Sequence, residues 1–195
     1  MLECKHSRKY KGVVMTKLEE LEARIRVLED VEAIRRLRNK YFRCLDGKLW
    51  DEMAECFTDD VAASYFNGEI NLRGKEKTIE FFKLGLTDAL IGLHHGHHPE
   101  IEITSDTTAR GTWGLYNYLI DRTNNRGQRI GGIYQDEYVK ENGQWKIKSI
   151  ACNQLFQENW DRRDMPSLEL TLRGTPQHAA RPVWKLAEQD NQAAG

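Results

Sequence analysis

Residues 94–103 read HHGHHPEIEI and mark the point where the chain changes from a helical to an extended pattern. Upstream of this segment, apolar residues recur every three or four positions, which is the spacing of amphipathic helices. Downstream, beginning with Glu100-Ile101-Glu102-Ile103, polar and apolar residues alternate, as in a strand with one buried face. Helices followed by a run of strands predict an α+β fold.

The helical part opens with one long segment. Its apolar stripe predicts a helix from Thr16 to Gly47, because glycine favours the end of a helix. A bend is expected near Glu29-Asp30, since aspartate prefers caps to helix interiors. The pattern then predicts two short helices and, between them, a hairpin around Asn67-Gly68: helices Trp50–Phe57 and Lys75–Leu86, strands Val61–Tyr65 and Glu69–Leu72.

The extended part contains four stretches that are separated by turn residues: Glu100–Ser105, Thr108–Asp121, Gly127–Lys140 and Gln144–Phe156. Consecutive strands joined by short turns form an antiparallel meander. We therefore predict a cone-shaped barrel, in which a curved, mixed and mainly antiparallel sheet wraps on about three N-terminal helices and encloses a cavity.

The boundaries of this domain follow from where the periodicity begins and fades. Residues 16–165 carry the pattern and are predicted to form one domain. Residues 1–15 are basic and patternless, and we expect a disordered or upstream-start extension. Residues 166–195 are polar and contain Pro176 and Pro182, so a partly disordered C-terminal arm is expected.

Composition argues against several classes of partner. The 29 basic and 30 acidic residues are well mixed, and a formal charge of -1 provides no basic stripe for nucleic acid. With a mean hydropathy of -0.69 and no apolar run of membrane-spanning length, no membrane partner is expected. Three of the four cysteines, Cys44, Cys56 and Cys152, lie in apolar patterns, which is typical of buried thiols in a reducing, cytoplasmic protein.

The histidine cluster is the best candidate for acid–base chemistry, because histidine exchanges protons near neutral pH. Asp46, at the end of the long helix, is the carboxylate that could orient one of these rings. Two other interpretations remain open, namely idle surface histidines and zinc ligation by the pairs three residues apart, His94/His97 and His95/His98.

A second polar signal lies on the strand around Trp113. Trp113, Leu115, Asn117 and Leu119 share one face, which is apolar except for the amide. A buried amide needs a hydrogen-bond partner, and that partner is either the protein itself or a substrate oxygen. Three aromatic residues, Trp113, Tyr134 and Phe156, would give a lining suited to a flat, apolar ligand, with the Tyr65 hydroxyl as a further polar group.

These residues resemble a known family. The string KYFRCLDGKLWDE at 40–52, with Ser64-Tyr65, Asn67-Gly68, His94, Gly96-His97 and Pro99-Glu100, is similar to the bile acid 7α-dehydratases. They are a SnoaL-like group within the nuclear-transport-factor-2-like (cystatin-like) superfamily, alongside scytalone dehydratase and ketosteroid isomerase. The resemblance covers roughly residues 16 to 165.

The resemblance implies a homotrimer without metal or organic cofactor. It places the family's catalytic groups on Tyr41, Asp46 and His94, and its pocket tyrosine on Tyr65. Where the family carries a catalytic aspartate on the central strand, this chain carries Asn117, which cannot act as a base. The expected substrate-binding residues are Tyr65, His97, Trp113, Asn117 and Tyr134.

The function implied is a lyase that eliminates water from a 7α-hydroxy-3-oxo-Δ4 steroid to give a 4,6-dien-3-one, with a small-molecule steroid or other apolar hydroxy-ketone as partner. One alternative is a dehydratase or isomerase of another hydroxy-ketone, such as a polyketide or aromatic alcohol. The other is a non-catalytic ligand-binding or structural subunit of the same fold. A non-catalytic subunit has no need for a paired His94 and Asp46. A large distance between these two residues would therefore favour the non-catalytic alternative over an enzyme.

Overall fold

The computed structural model describes residues 16–172 and 174–180. The N-terminal extension predicted at 1–15 lies outside the described residues, as do Arg173 and residues 181–195 of the predicted arm. The elements follow one another as four helices and six strands: α1 (Lys17–Gly47), α2 (Trp50–Ala54), β1 (Phe57–Tyr65), β2 (Ile70–Arg73), α3 (Lys75–Gly85), β3 (Leu90–Ile103), β4 (Thr108–Asp121), β5 (Arg126–Glu141), β6 (Gln144–Asp161) and α4 (Pro176–Ala180).

The six strands form one curved sheet in the order β2-β1-β6-β5-β4-β3. Strands β3 to β6 are an antiparallel meander, and β1 joins it through a parallel pairing with β6. The predicted α+β fold, with a mixed and mainly antiparallel sheet covered by N-terminal helices, is therefore confirmed. The hairpin at Asn67-Gly68 is also confirmed, since both residues have positive φ and Tyr65 pairs with Ile70.

Helix α1 is fixed at its start and near its middle by polar contacts. Thr16 and Glu19 form a capping box. The helix continues through Glu29-Asp30, where a bend was expected. Asp30 accepts a hydrogen bond of 2.8 Å from the Trp145 indole and pairs with Lys140 at 2.5 Å, so this carboxylate anchors the helix to the β5–β6 hairpin.

Helix α1 ends at Gly47, as predicted, but glycine is not its cap residue. Gly47 is still helical, and Lys48 takes the left-handed cap conformation with φ of 54°. A Cβ at Gly47 would lie 2.1 Å from the Ala180 side chain, so glycine is needed here for the close approach of α4. Part of the predicted C-terminal arm thus packs on the end of α1.

Strand β3 begins ten residues earlier than predicted, and the histidine cluster lies within it rather than before it. Residues 90–97 pair continuously with β4, after which the register shifts between His97 and Glu100. Pro99 cannot donate a backbone hydrogen bond and His98 has φ of 46°, so the irregularity is a bulge on an edge strand. Only the residues after the bulge, 100–103, show the alternation of polar and apolar side chains that predicts a strand. The bulge interrupts this alternation, so the part of β3 before it was not recognised from the sequence.

Other boundaries shifted in the same direction, toward longer strands. The predicted helix Trp50–Phe57 ends at Ala54, and Phe57 begins β1 because it pairs with Ile147 of β6. Strand β4 has the predicted bounds, whereas β6 continues to Asp161 instead of Phe156.

The core lies between the sheet and the C-terminal half of α1. Its aromatic centre is Tyr41, whose ring makes edge-to-face contacts with Phe42, Phe57, Phe82 and Tyr134. Three cysteines, Cys44, Cys56 and Cys152, are buried free thiols, as predicted. Within the described segments, no helix is both long and apolar enough to cross a membrane.

Packing of α1 against β3 depends on glycine at position 96, and this predicts a stability change. A Cβ at Gly96 would lie 2.3 Å from the Phe42 ring, whereas one at Gly114 would make only ordinary contacts near His97. We expect Gly96→Ala to lower the free energy of unfolding by roughly 1–3 kcal/mol through overpacking. Gly114→Ala should change it by less than about 0.5 kcal/mol.

Urea unfolding of the two variants beside the unmodified protein measures this difference. Equal stabilities of the two variants would mean that α1 and β3 can separate without cost.

Candidate active site

The centre of the site is a contact between the last turn of α1 and the edge strand β3. Asp46 Oδ1 lies 2.5 Å from Nδ1 of His94, and the two carboxylate oxygens also accept from the His94 backbone N–H at 3.1 and 3.0 Å. Both side chains are largely buried, with 9% of His94 and 15% of Asp46 exposed. A carboxylate on Nδ1 fixes the tautomer that carries its proton there and leaves the lone pair on Nε2.

Two glycines flank His94 on the inner face of β3. Gly92 and Gly96 alternate with His94, and a Cβ at Gly92 would lie 2.6 Å from the Leu119 side chain. The Phe42 ring stacks parallel to His94, with centroids 6.5 Å apart. Glycine therefore makes room for the Phe42 ring of α1 at position 96 and for the Leu119 side chain of β4 at position 92.

Asn117 occupies the other side of the same ring. It is directly opposite His94 in the β3–β4 register, and its Nδ2 lies 2.7 Å from His94 Nε2. With the proton on Nδ1, the amide donates to the lone pair of Nε2. The Asn117 carbonyl oxygen is buried and has no hydrogen-bond partner among the residues that the structure describes. That oxygen is thus available to accept from a hydroxyl group.

His94 and Asn117 face a cavity of about 350 Å³ inside the cone. Among the described residues that line it there is no aspartate, glutamate, lysine or arginine. The polar members are Tyr41, Tyr65, Tyr134, His94, Asn117, Cys152 and three glutamines, 128, 154 and 157; the remainder are apolar, among them Leu45, Phe66, Phe81, Phe82, Leu86, Leu90, Leu115, Leu119 and Ile130. A cavity of this size and polarity suits a small, largely apolar ligand.

The tyrosines of the cavity hold their protons firmly. Burial raises the pKa of Tyr41 to about 12, although the charge of Arg38 opposes this shift. Burial also raises the pKa of Tyr65 and Tyr134 well above the ordinary tyrosine value. Neutral phenol groups are hydrogen-bond donors, so Tyr41 and Tyr65 can donate to an oxygen atom inside the cavity.

Two residues expected to bind substrate lie elsewhere. Trp113 does not line the cavity: it donates a 2.9 Å hydrogen bond to the Tyr138 hydroxyl deeper in the core. His97 has the parity opposite to that of His94 and stacks on His95, with ring centroids 5.8 Å apart and an angle of 4°. Neither side chain lines the cavity that contains Asn117.

Phe156 was also expected to line the cavity, and it lies outside it. Its side chain is 49% exposed and rests against Gly131, on the outer face of the sheet. Five of the predicted site residues line the same cavity: Tyr41, Tyr65, His94, Asn117 and Tyr134. Tyr41 lies on α1, the helix that also carries Asp46.

A larger groove of about 740 Å³ lies on the Asp46 side of the imidazole. It is bounded by α1, the edge strand β3 and residues 174–180 of the C-terminal segment, with His95 and His97 on one wall. The His94–Asp46 pair thus separates two spaces, and only the inner one also contains Asn117 and the tyrosines.

The zinc interpretation of the histidines can be compared with the geometry. His94 and His97 lie on opposite faces of β3, and His98 falls within the bulge between His97 and Glu100. Over residues 16–172 and 174–180, no group of three or more histidine, cysteine, aspartate or glutamate side chains is arranged to hold a metal ion.

A buried ion pair was missed by the sequence analysis. The Arg38 guanidinium is fully buried, and its Nε lies 3.5 Å from Oδ2 of Asp136. The sequence contains an indication of this pair, because each charged residue lies at a position where an apolar one is expected. Arg38 occupies the apolar stripe of α1 one turn before Tyr41, and Asp136 lies on the inward face of β5 between Tyr134 and Tyr138.

The raised tyrosine pKa values predict a loss of stability in alkali. Unfolded tyrosines ionise near pH 10, whereas Tyr41 and Tyr134 keep their protons in the folded state. Above pH 10 the folded chain therefore binds more protons, and each such tyrosine should lower the free energy of unfolding by about 1.4 kcal/mol per pH unit. The loss is complete for Tyr41 only above pH about 12.

Urea unfolding between pH 9 and 11 measures this slope. Tyr134→Phe should make it shallower by the contribution of one proton, while the partly exposed Tyr116 serves as the control through Tyr116→Phe. The explanation is wrong if both variants keep the slope of the unmodified protein.

Comparisons with known proteins agree with this architecture. A family model described as a SnoaL-like domain matches residues 26–151. A solved structure that carries the provisional name scytalone dehydratase, from Novosphingobium aromaticivorans DSM 12444, is 22% identical over 77% of this chain and 93% of its own, with a TM-score of 0.65. A type 2 hexachlorocyclohexane dehydrochlorinase is 17% identical over 77% and 98%, with a TM-score of 0.67. At these identities the likeness concerns the fold, but the family model spans well over half of the chain, which therefore belongs to the SnoaL-like domain family.

Proposed function

We propose that this protein is a lyase that uses the His94–Asp46 pair to eliminate water from a compact, largely apolar hydroxy-ketone. The observation that carries the proposal is the 2.5 Å contact between Asp46 Oδ1 and His94 Nδ1, with Nε2 directed toward a cavity. A non-catalytic binding protein has no requirement for this pairing. Neighbours of the same fold are named for eliminations, a dehydratase and a dehydrochlorinase.

The first step is removal of a proton from carbon. Asp46 holds the Nδ1 proton, so His94 Nε2 carries the lone pair that accepts the substrate proton and becomes an imidazolium stabilised by the carboxylate. Asn117 now donates to this lone pair, so its side chain must turn aside as the substrate enters. The electron pair of the broken C–H bond moves into the conjugated ketone and forms an enolate.

The enolate oxygen needs hydrogen-bond donors, and the cavity provides neutral phenols. Tyr41 lines the cavity on the helix side and donates to the ketone oxygen as negative charge develops. Its raised pKa keeps the proton on Tyr41 at all ordinary assay pH values, which makes it a hydrogen-bond donor rather than a proton source.

The second step is loss of the hydroxyl group. The enolate electrons return to form the new C=C bond while the C–O bond breaks. The imidazolium of His94 returns the proton that converts the leaving hydroxide to water, either directly or through the Tyr65 hydroxyl, which passes one proton to the leaving group and receives another from His94. The unpartnered Asn117 carbonyl oxygen accepts from the hydroxyl of the bound substrate and holds it in place. Atoms and charge balance without a further reactant.

The specific substrate we propose is a 7α-hydroxy-3-oxo-Δ4 steroid, on the strength of the resemblance at residues 40–52. Its conjugated ketone acidifies the proton at C6, and loss of the 7-hydroxyl group gives a 4,6-dien-3-one. A homotrimer is part of the same proposal. Another hydroxy-ketone, handled by the same groups, is the alternative.

The elimination predicts a large loss of rate in two variants. His94→Ala and Asp46→Ala should each lower kcat by roughly 10²–10⁴-fold, because they remove the base or its orienting carboxylate. His95→Ala, on the outer face of the same strand, is the matched control and should retain activity. The increase in absorbance from the longer conjugated dienone follows the reaction directly, using the 7α-hydroxy-3-oxo-Δ4 bile acid as substrate.

Unchanged turnover in His94→Ala would exclude this histidine as the base. If the unmodified protein gives no dienone from the free acid, its thioester or the 7β epimer, the steroid assignment is wrong, and a panel of other hydroxy-ketones tests the lyase assignment separately.

Asn117 predicts a change in pH dependence. In Asn117→Asp a carboxylate would face His94 Nε2 and favour the doubly protonated imidazole, which cannot accept the substrate proton. We expect this variant to lose activity at neutral pH and to recover it in part as the pH rises, while Asn117→Leu should be slow at every pH. Rate profiles from pH 6 to 9 measure this, and identical profiles for the two variants would contradict the assigned contact.

A further inference from the structure

We propose that Arg38, a residue that does not reach the cavity, is a positioning residue of this site and stabilises negative charge on the substrate oxygen through the tyrosines that it underlies. This inference rests on the proposed function, because the charge in question is that of the enolate.

Arg38 lies directly behind the cavity wall. Its Cζ is 4.4 Å from the centroid of the Tyr41 ring and 4.0 Å from that of Tyr134, and both rings line the cavity. A third ring, Phe42, lies at 4.6 Å and also stacks on His94. A cation within this distance of an aromatic face is attracted by the ring quadrupole, so the guanidinium and the rings hold one another in place.

The counter-charge is held on the side of Arg38 away from the cavity. Asp136 lies 3.5 Å from the guanidinium and accepts a 2.6 Å hydrogen bond from the Tyr138 hydroxyl, which in turn accepts from Trp113. Burial raises the pKa of Asp136, against the opposing effect of Arg38 and this hydrogen bond. Trp113 and Tyr138 thus anchor the carboxylate, and neither Arg38 nor Asp136 lines the cavity.

Fold stability does not account for this arrangement. A buried ion pair is seldom more stabilising than apolar side chains of the same volume. Within the described part of the chain, none of the three guanidinium nitrogens of Arg38 makes a hydrogen bond, so the group leaves its donors unsatisfied. An apolar residue in this stripe would pack on the same rings without that cost.

The positive charge of Arg38 acts on the hydroxyl groups that line the cavity. The positive charge of Arg38 lowers the pKa of Tyr41, Tyr65 and Tyr134, in each case against the larger effect of burial. A charge that favours a phenolate also favours an enolate hydrogen-bonded to the same phenol, because both place negative charge near that oxygen. In a poorly solvated cavity such a field is weakly screened.

The test removes both charges together, because Arg38→Met alone leaves Asp136 buried without its partner. Arg38→Met/Asp136→Asn is neutral and keeps an acceptor for the Tyr138 hydroxyl. Arg36→Met, on the exposed face of α1, is the matched control. The probe is 2-naphthol, a flat phenol whose absorbance distinguishes the neutral from the ionised form, so its bound state reports stabilisation of an oxyanion without any turnover.

We expect the neutral double variant to fold, to bind naphthol, and to raise the apparent pKa of the bound probe by about one unit, a tenfold loss of the ionised form at a given pH. In the lyase assay kcat should fall roughly 10–100-fold with KM nearly unchanged, since only charge that develops in the transition state is affected. Arg36→Met should match the unmodified protein in both measurements.

An unchanged naphthol titration in the double variant overturns the proposal, as does a failure of the unmodified protein to favour the ionised probe. If the naphthol shift is found but no hydroxy-ketone is converted, the electrostatic role of Arg38 stands and the lyase assignment fails. If conversion is found and kcat is equal in the double variant, the lyase stands and the role of Arg38 is refuted.

Discussion

The contact between Asp46 and His94 is the interaction on which the rest of the site depends. It joins the end of the longest helix to the edge strand of the sheet through one side-chain and two backbone contacts, and it fixes the tautomer of the imidazole. Gly96, two residues after His94 on β3, leaves room for the Phe42 ring of the same helix. The packing of α1 against β3 and the orientation of the His94 imidazole therefore depend on each other.

A second constraint is the burial of polar groups around one aromatic cluster. Tyr41 belongs at once to the core, where four rings contact it, and to the cavity, which it lines with a protonated hydroxyl. Arg38 and Asp136 lie behind it in the same core. Polar groups that are costly to bury and do not line the cavity are expected where a fold carries a function.

Much of the fold followed from periodicity. The helical stripe before residue 48 and the alternation of Thr108–Asp121 are long patterns, and both correspond to single elements with nearly the predicted bounds. The errors lie where a local rule was overridden by pairing with a neighbour: the start of β3, hidden by the bulge before Pro99, and Phe57, taken into β1 by its pairing with Ile147. No local sequence signal reports a partner that is ninety residues away.

The candidate site likewise has features that the sequence predicts and features that only the tertiary structure reveals. The sequence by itself determined the residue types and their faces: a histidine cluster, a carboxylate at a helix end, and one amide on an apolar strand face. Only the tertiary structure decided that His94 rather than His97 turns inward, that Asn117 lies opposite it, and that Trp113 is used in the core. Strand parity is a local property only while the ladder is regular, and the contacts between α1, β3 and β4 depend on the register and curvature of the whole sheet.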